Sequence, residues 1–499
     1  MATSLTHPGL THPGLTHPGL THPGLTHPGL THPGSPAILM RANERRKSDI
    51  HKFALALVWF SIASSSIVFS EPAPVDILTA GLFVLLPVIG LIDARPMLVA
   101  GLAIWLPIAA FSFFATTLAF DTPAAITHAA VTLYLSGASF LIACFVAKKP
   151  LAHTRLILNG YFVAATIAAL LGIAGYLDLF PGAYDALTRY DRAAGLFKDP
   201  NVFGPFLIPG LLTALHLWLS RPMIRGLLPL LGAGLFATGI LFSFSRGAWA
   251  GAAAALALYC YLYLLSSTRN IERLKLAGLV LFGAAAVGLV VAASMQSEGV
   301  ARLLEERAAL TQPYDEGPTG RFGGQLKAVD VILENPLGIG SLQFAPYFHH
   351  EEAHNVYLSM LMNAGWPGGL LYLALCVLTL IMGFKNALKA TRTRPLFLIV
   401  YCALAASILQ GLLIDSDHWR HFYLLMGVVW GLMAGDAREV RKARIVRDRR
   451  PILLLQQLII PPSRRQVRIV GHAPRRAPIG RPKRNLPPQR EPRILARYR

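Results

Sequence analysis

The chain has 499 residues, 54% of them hydrophobic and only 14% charged, with a mean hydropathy of +0.49. A soluble domain carries about 25% charge, so a soluble enzyme is excluded and long apolar runs must account for the difference. The formal charge of +20 does not point to nucleic acid, because +15 of it falls in residues 436–499 alone.

Residues 5–34 are six tandem copies of LTHPG. A proline every five residues forbids regular helix, and the apolar content is too low for a core, so residues 1–39 read as disordered. The repeat has no continuous hydrophobic core region and is not a signal peptide. Met40, ahead of the basic "RANERRKSDIHK", would serve as an alternative start. Twelve apolar runs follow, at 53–70, 75–92, 97–117, 124–147, 155–180, 202–219, 226–243, 247–266, 276–295, 355–384, 396–414 and 420–435. By length these read as transmembrane helices. The fold class is therefore an all-α polytopic membrane protein, with its membrane domain at 40–435. The four cysteines, Cys144, Cys260, Cys376 and Cys402, all lie inside apolar runs without metal-ligand spacing.

Alternate linkers, "DARP", "KKPLAHTR", "SRPMIR", "STRNIERLK" and "KNALKATRTRP", are short and basic. The positive-inside rule puts them, and with them both termini, in the cytoplasm. The opposite side carries two longer segments, 181–201 and 296–354. The second is expected to form a periplasmic cap, since irregular chain is not left exposed to lipid. Beyond Asp436 the tail is rich in Arg and Pro. Its "PILLLQQLII" patch spans about 15 Å as a helix, too short to cross, and reads as an interfacial anchor on anionic membrane lipids.

Outward-facing arginines run against that charge rule and are therefore informative. They are Arg189, Arg192, Arg246, Arg302, Arg307, Arg321 and Arg420. Each alone can snorkel or pair with Asp415 or Asp417. Several around one opening would suit a lipid-borne phosphate or diphosphate, which guanidinium forks grip two oxygens at a time.

The stretch "HHEEAHNVYLSMLMNAGWPGG" (349–369) contains H-E-x-x-H at His350, Glu351 and His354, the zinc-protease pattern. That site needs a helix under the motif and a third ligand, whereas here the motif lies at a loop-to-helix junction. The neighbouring His349 and Glu352 read as solvated loop residues. From His354 the string also reads H-N-x9-G-x-x-G, through Asn355, Gly365 and Gly368.

Together with "RAAGLFKDPNVFGPFL", "SFSRGAWAG" and "GRFGGQLKAVDVILENPLGIG", that string resembles the O-antigen ligase and polymerase superfamily over roughly residues 55–435. The resemblance implies a GT-C-type glycosyltransferase of the bacterial inner membrane, with its active site facing the periplasm under a large loop. It implies a donor glycan on undecaprenyl diphosphate, a glycolipid (lipid A–core) or glycan acceptor, and no metal or other cofactor. Carried over by motif, the catalytic histidine falls on His354 and the diphosphate-binding arginines on Arg246 and Arg321, with Arg192 a weaker match. Asn355, Gly365 and Gly368 complete the motif.

The chemistry agrees with these residue types. Transfer needs a base for the acceptor hydroxyl and positive charge for the leaving diphosphate. His354 is expected to begin a helix, whose positive dipole end favours an uncharged ring. Gly365 and Pro367 should break that helix after about 15 Å, at a place where it lines a lipid cavity. The closest rival is chain polymerisation by the same superfamily, and a knockout separates the two by leaving stranded long chains or single transferred repeats. A zinc intramembrane protease using His350, Glu351 and His354 is the distant alternative. A transporter would need paired broken helices and mid-span charges, and His128 and His216 read instead as hydrogen-bonded within the bundle.

Overall fold

The computed structural model describes residues 36–265, 270–294, 317–318 and 320–438. The LTHPG repeats, Arg302 and Arg307 of the long loop, and the tail with its apolar patch lie outside the described residues.

The chain folds as an all-α polytopic membrane protein. In order its helices are α1 (Pro36–Ala63), α2 (Pro74–Val88), α3 (Pro96–Ala115), α4 (Thr122–Lys148), α5 (Pro150–Tyr176), α6 (Ala183–Leu187), α7 (Pro200–Phe206), α8 (Ile208–Ser220), α9 (Met223–Phe242) and α10 (Arg246–Leu264). They continue as α11 (Asn270–Ser294), α12 (Arg321–Glu334), α13 (Phe344–Tyr347), α14 (Val356–Ala387), α15 (Arg394–Gln410) and α16 (420–438). Proline sets many of the starts. It occupies the first or second position of α2, α3, α4, α5, α7, α8 and α15, where its missing N–H costs nothing and its fixed φ suits the helix.

Each of the twelve predicted apolar runs contains helix, but not each is a full span. Among the described residues, seven helical stretches are long and apolar enough to cross a membrane. The 53–70 run is helical only to Ala63. Helix α2 stops at fifteen residues, closed by Gly90 at φ +70, and α15 has seventeen. At 1.5 Å per residue these reach about 22 and 25 Å, short of the roughly 30 Å hydrocarbon layer. Helix α1 also begins at Pro36, inside the segment expected to be disordered.

Packing relies on small residues and interlocked rings. A Cβ on Gly431 of α16 would lie 2.6 Å from the Ala143 carbonyl of α4. Glycine there lets the two backbones approach, the usual device where lipid supplies no hydrophobic drive between helices. Trp105 of α3 meets Tyr423 of α16 at 5.4 Å between ring centroids and Tyr372 of α14 at 6.2 Å. A smaller cluster, Ala328, Val331 and Ile332 with Phe344, Ala353 and Met362, seats α12 and α13 on the first half of α14.

A two-stranded antiparallel hairpin, β1 (Thr188–Arg189) and β2 (Arg192–Ala193), precedes α7. Its turn residues Tyr190 and Asp191 have φ of +55° and +56°, the two-residue turn whose twist matches paired strands.

Candidate active site

At one end of the bundle lies a cavity of about 780 Å³, within the range of small-molecule sites. One part of its wall is apolar, including Val75, Leu135, Ile142, Val202 and Phe206. The rest carries the candidate site residues expected from sequence: Arg192, Arg246, Arg321 and His354 all face this one space.

Two of the arginines open helices. Arg246 is the first residue of α10, whose cap Ser245 accepts a hydrogen bond from the Ala248 N–H at 3.3 Å. Arg321 is the first residue of α12, behind Gly320. Each guanidinium therefore starts where a helix dipole is positive, so backbone and side chain favour an anion together. Arg192 is different. It is buried, with Nε donating to the Ser243 carbonyl at 2.7 Å and Nη2 to Asn201 Oδ1 at 2.8 Å, so part of its fork braces the loop that leads into Arg246. Arg420 is held by Asp76 through two bonds of 2.8 and 2.7 Å, and Arg189 turns to nearby backbone carbonyls.

His354 stands just ahead of α14 and does not begin it. Asn355 is the cap, accepting from the N–H groups of Tyr357 and Leu358 at 3.1 and 3.4 Å, so its side-chain oxygen is committed to the helix. His354 itself takes a left-handed φ of +48°, which turns its ring out of the helix line. The ring is half-exposed, with Nδ1 3.9 Å from Asp415 Oδ2 and Nε2 3.7 Å from Glu351 Oε2. Carboxylates, rather than the helix dipole, are therefore its charged neighbours.

The end of α15 and the segment after it join these pieces. Gln410 donates to the Gly247 carbonyl at 2.6 Å beside Arg246, and the Gly411 carbonyl accepts from Val356 N–H at 2.8 Å. The Leu413 carbonyl accepts from Arg321 Nη2, and Asp415 accepts from Ser359 Oγ. Four neighbouring positions thus touch both arginine-led helices and the helix behind His354.

Comparison with known families fits this arrangement. Residues 231–373 match the sequence model of the O-antigen ligase family. That match supports the O-antigen ligase superfamily for this segment of the chain. A comparison with curated proteins finds no match. The matched region includes Arg246, Arg321, His354, Gly365 and Gly368, and leaves Arg192 and the 410–417 segment outside.

The glycines behave differently from their expected role at a lipid cavity. Gly365 does break α14, at φ +64° and ψ −178°. The break is packed rather than open, because a Cβ there would lie 2.6 Å from the Leu337 carbonyl carbon. The freed backbone is satisfied by that same loop: Trp366 N–H donates to the Pro336 carbonyl at 2.9 Å. Gly368 lets Phe111 of α3 come close, its would-be Cβ 3.2 Å from the Phe111 Cβ. Neither lines the cavity.

The zinc-protease pattern loses its footing. Residues 349–354 are not helical, so His350 and His354 are not presented one turn apart on a helix face. His349 is half-buried, its ring stacked on Phe344 at 5.8 Å, and Glu352 is likewise half-buried rather than solvated. Burial, reinforced by Asp415, pushes the Glu352 carboxyl up to about 7. Burial and the Asp417 charge also raise Asp415. For Asp417, burial acts upward but is outweighed by the His128 hydrogen bond and the His418 charge, which hold it at about 2. Of the two intramembrane histidines, His216 bonds the Tyr259 hydroxyl at 2.8 Å and His128 pairs with Asp417.

Proposed function

We propose that this membrane protein transfers a glycan from undecaprenyl diphosphate to an acceptor hydroxyl, in the manner of an O-antigen ligase acting on lipid A–core or another glycolipid. The observation that carries the reading is one cavity lined both by arginine-led helix N-termini and by a carboxylate-flanked histidine.

In this reading His354 takes the proton of the acceptor hydroxyl through Nε2. The acceptor oxygen then bonds to the anomeric carbon as the bond from that carbon to the diphosphate oxygen breaks. The departing diphosphate keeps the electron pair and is neutralised by Arg246 and Arg321, in the place a divalent cation would otherwise take. Arg192 holds the Ser243 carbonyl, and so acts mainly by setting the loop before Arg246. Asp415 faces the Nδ1 side of the ring and stabilises the imidazolium as it forms. The apolar wall suits the first isoprene units of the carrier. The basic linkers meet at another end of the bundle, where Arg95 bonds the Ala147 and Ala434 carbonyls and Arg438 reaches Asp93. That charge bias supports an inner-membrane protein with cytoplasmic termini and a periplasmic site.

The test is transfer by purified full-length protein supplied with undecaprenyl-diphosphate glycan and lipid A–core. His354→Ala should lower kcat by about 10²–10⁴-fold, the span of general-base catalysis, while Glu351→Gln stays within a few-fold. Unchanged turnover in His354→Ala overturns the mechanism. Transfer onto a second carrier-linked glycan, but not onto lipid A–core, would make the chain a polymerase.

A further inference from the structure

We infer that His128, Asp417 and His418 form a binding site for one divalent transition-metal ion of the zinc class. One ligand atom from each lies within 4.8 Å of the others. His128 Nε2 stands 3.2 Å from Asp417 Oδ2, and two donors bonded to one tetrahedral zinc at about 2.0–2.1 Å sit about 3.3 Å apart. Two imidazoles and one carboxylate suit zinc and its first-row neighbours, whereas calcium and magnesium prefer oxygen alone.

Two further features support an ion over a plain ion pair. Thr132, one turn along α4 from His128, holds His418 Nε2 at 3.0 Å. This fixes the ring and leaves Nδ1 for the metal, the outer-shell bond that metal-bound histidines usually make. The His128 and Asp417 side chains are only 12% and 10% exposed, yet Asp417 and His418 line the cavity. An ion can enter from there, and water can fill its remaining positions. The two imidazoles now stack at 3.8 Å with 22° between their planes. A shared ion would draw the donor nitrogens together and open the planes.

The ion would tie α4 to the segment after α15, which also carries Asp415. It would thereby position the carboxylate wall of the cavity without touching the reacting groups. The site stands whether or not the transferase reading holds.

The experiment is zinc and cobalt titration of chelator-treated full-length protein in detergent. The six histidines of the LTHPG repeats contribute equally to every variant, so binding is read as a difference. Wild type should take up about one zinc more per chain than His128→Gln or Asp417→Asn, and show a visible cobalt absorption that both variants lose. Zinc should raise the melting temperature of wild type only. Thr132→Val, which keeps the side-chain shape, should weaken zinc about 10–100-fold. Equal zinc uptake by wild type and the ligand variants, or unchanged affinity in Thr132→Val, overturns the site.

Discussion

Asp415→Asn tests the partnership behind His354 with little change of shape, because the amide oxygen can still accept from Ser359. At the 3.9 Å between Asp415 Oδ2 and His354 Nδ1, opposite charges attract by about 4 kcal/mol at an effective dielectric near 20, and by about 1 kcal/mol in bulk water. The His354 side chain is 39% exposed, so the true value lies between these limits. At 1.4 kcal/mol per decade this predicts a fall in kcat of about 10- to 100-fold. The KM for the donor should hardly move, since the ring is charged only once the proton has moved. Burial and Asp417 raise the Asp415 carboxyl, so it is protonated, and resembles asparagine, at a higher pH than an ordinary aspartate. The gap between wild type and variant should therefore narrow as pH falls and widen as it rises. The assay is initial-rate transfer across pH, repeated in a His354→Ala background, where Asp415→Asn should cost nothing further. Full activity of Asp415→Asn, or an equal loss with and without His354, refutes the reasoning.

Arg246→Lys keeps the charge but loses the two-pronged grip on phosphate oxygens. It should raise the KM for the diphosphate donor about ten-fold or more, as measured by donor titration, and Arg321→Ala should do the same while also freeing the Leu413 carbonyl. Gly365→Ala combines a strained φ of +64° with a Cβ 2.6 Å from the Leu337 carbonyl carbon. It should destabilise by roughly 2–5 kcal/mol, read as a lower melting temperature, whereas Gly81→Ala, with nothing within 4 Å, should not. Glu352 keeps its proton to about pH 7 in the folded chain, against an ordinary value of 4.5, so its contribution to stability is lost as pH rises through that window. Glu352→Gln, which mimics the protonated form, should melt higher than wild type above pH 7 and flatten the pH dependence.

The membrane class and the approximate positions of the helices were readable in the sequence, while the meeting of Arg246, Arg321 and His354 was expected only from the family resemblance. Apolar run length, proline at helix starts and motif spacing each report local physics. What escaped was non-local. Asp415 and Asp417 read as possible salt-bridge partners, because nothing within "QGLLIDSDHWR" tells that Gln410, the Gly411 and Leu413 carbonyls and Asp415 tie α10, α12 and α14 together. His128 lies about 290 residues from its partners Asp417 and His418, and no periodicity links them. The expected cap at His354 went to Asn355 for a local reason that pattern reading can supply: asparagine is among the best cap residues, with a short oxygen that reaches the second and third N–H groups.

Backbone strain gathers at the same place. Among the described residues, six that are not glycine have φ above zero, and four of them adjoin the candidate site. Tyr190 and Asp191 precede Arg192, Phe244 lies two residues before Arg246, and His354 is itself the fourth. Such conformations cost of order 1–3 kcal/mol each and persist only where the surroundings over-determine them. Here the surroundings can be named. Phe244 is almost fully buried, its ring 5.6 Å from that of Tyr176, and His354 is fixed between the fully buried Ala353 and the capped start of α14. In the proposed mechanism, a base and an anion site held this way would need no reorganisation when substrate arrives, which is what electrostatic catalysis requires. The strain would relax if Asn355 lost its cap or Gln410 its hold on Gly247, and the distance between His354 and Arg246 would relax with it.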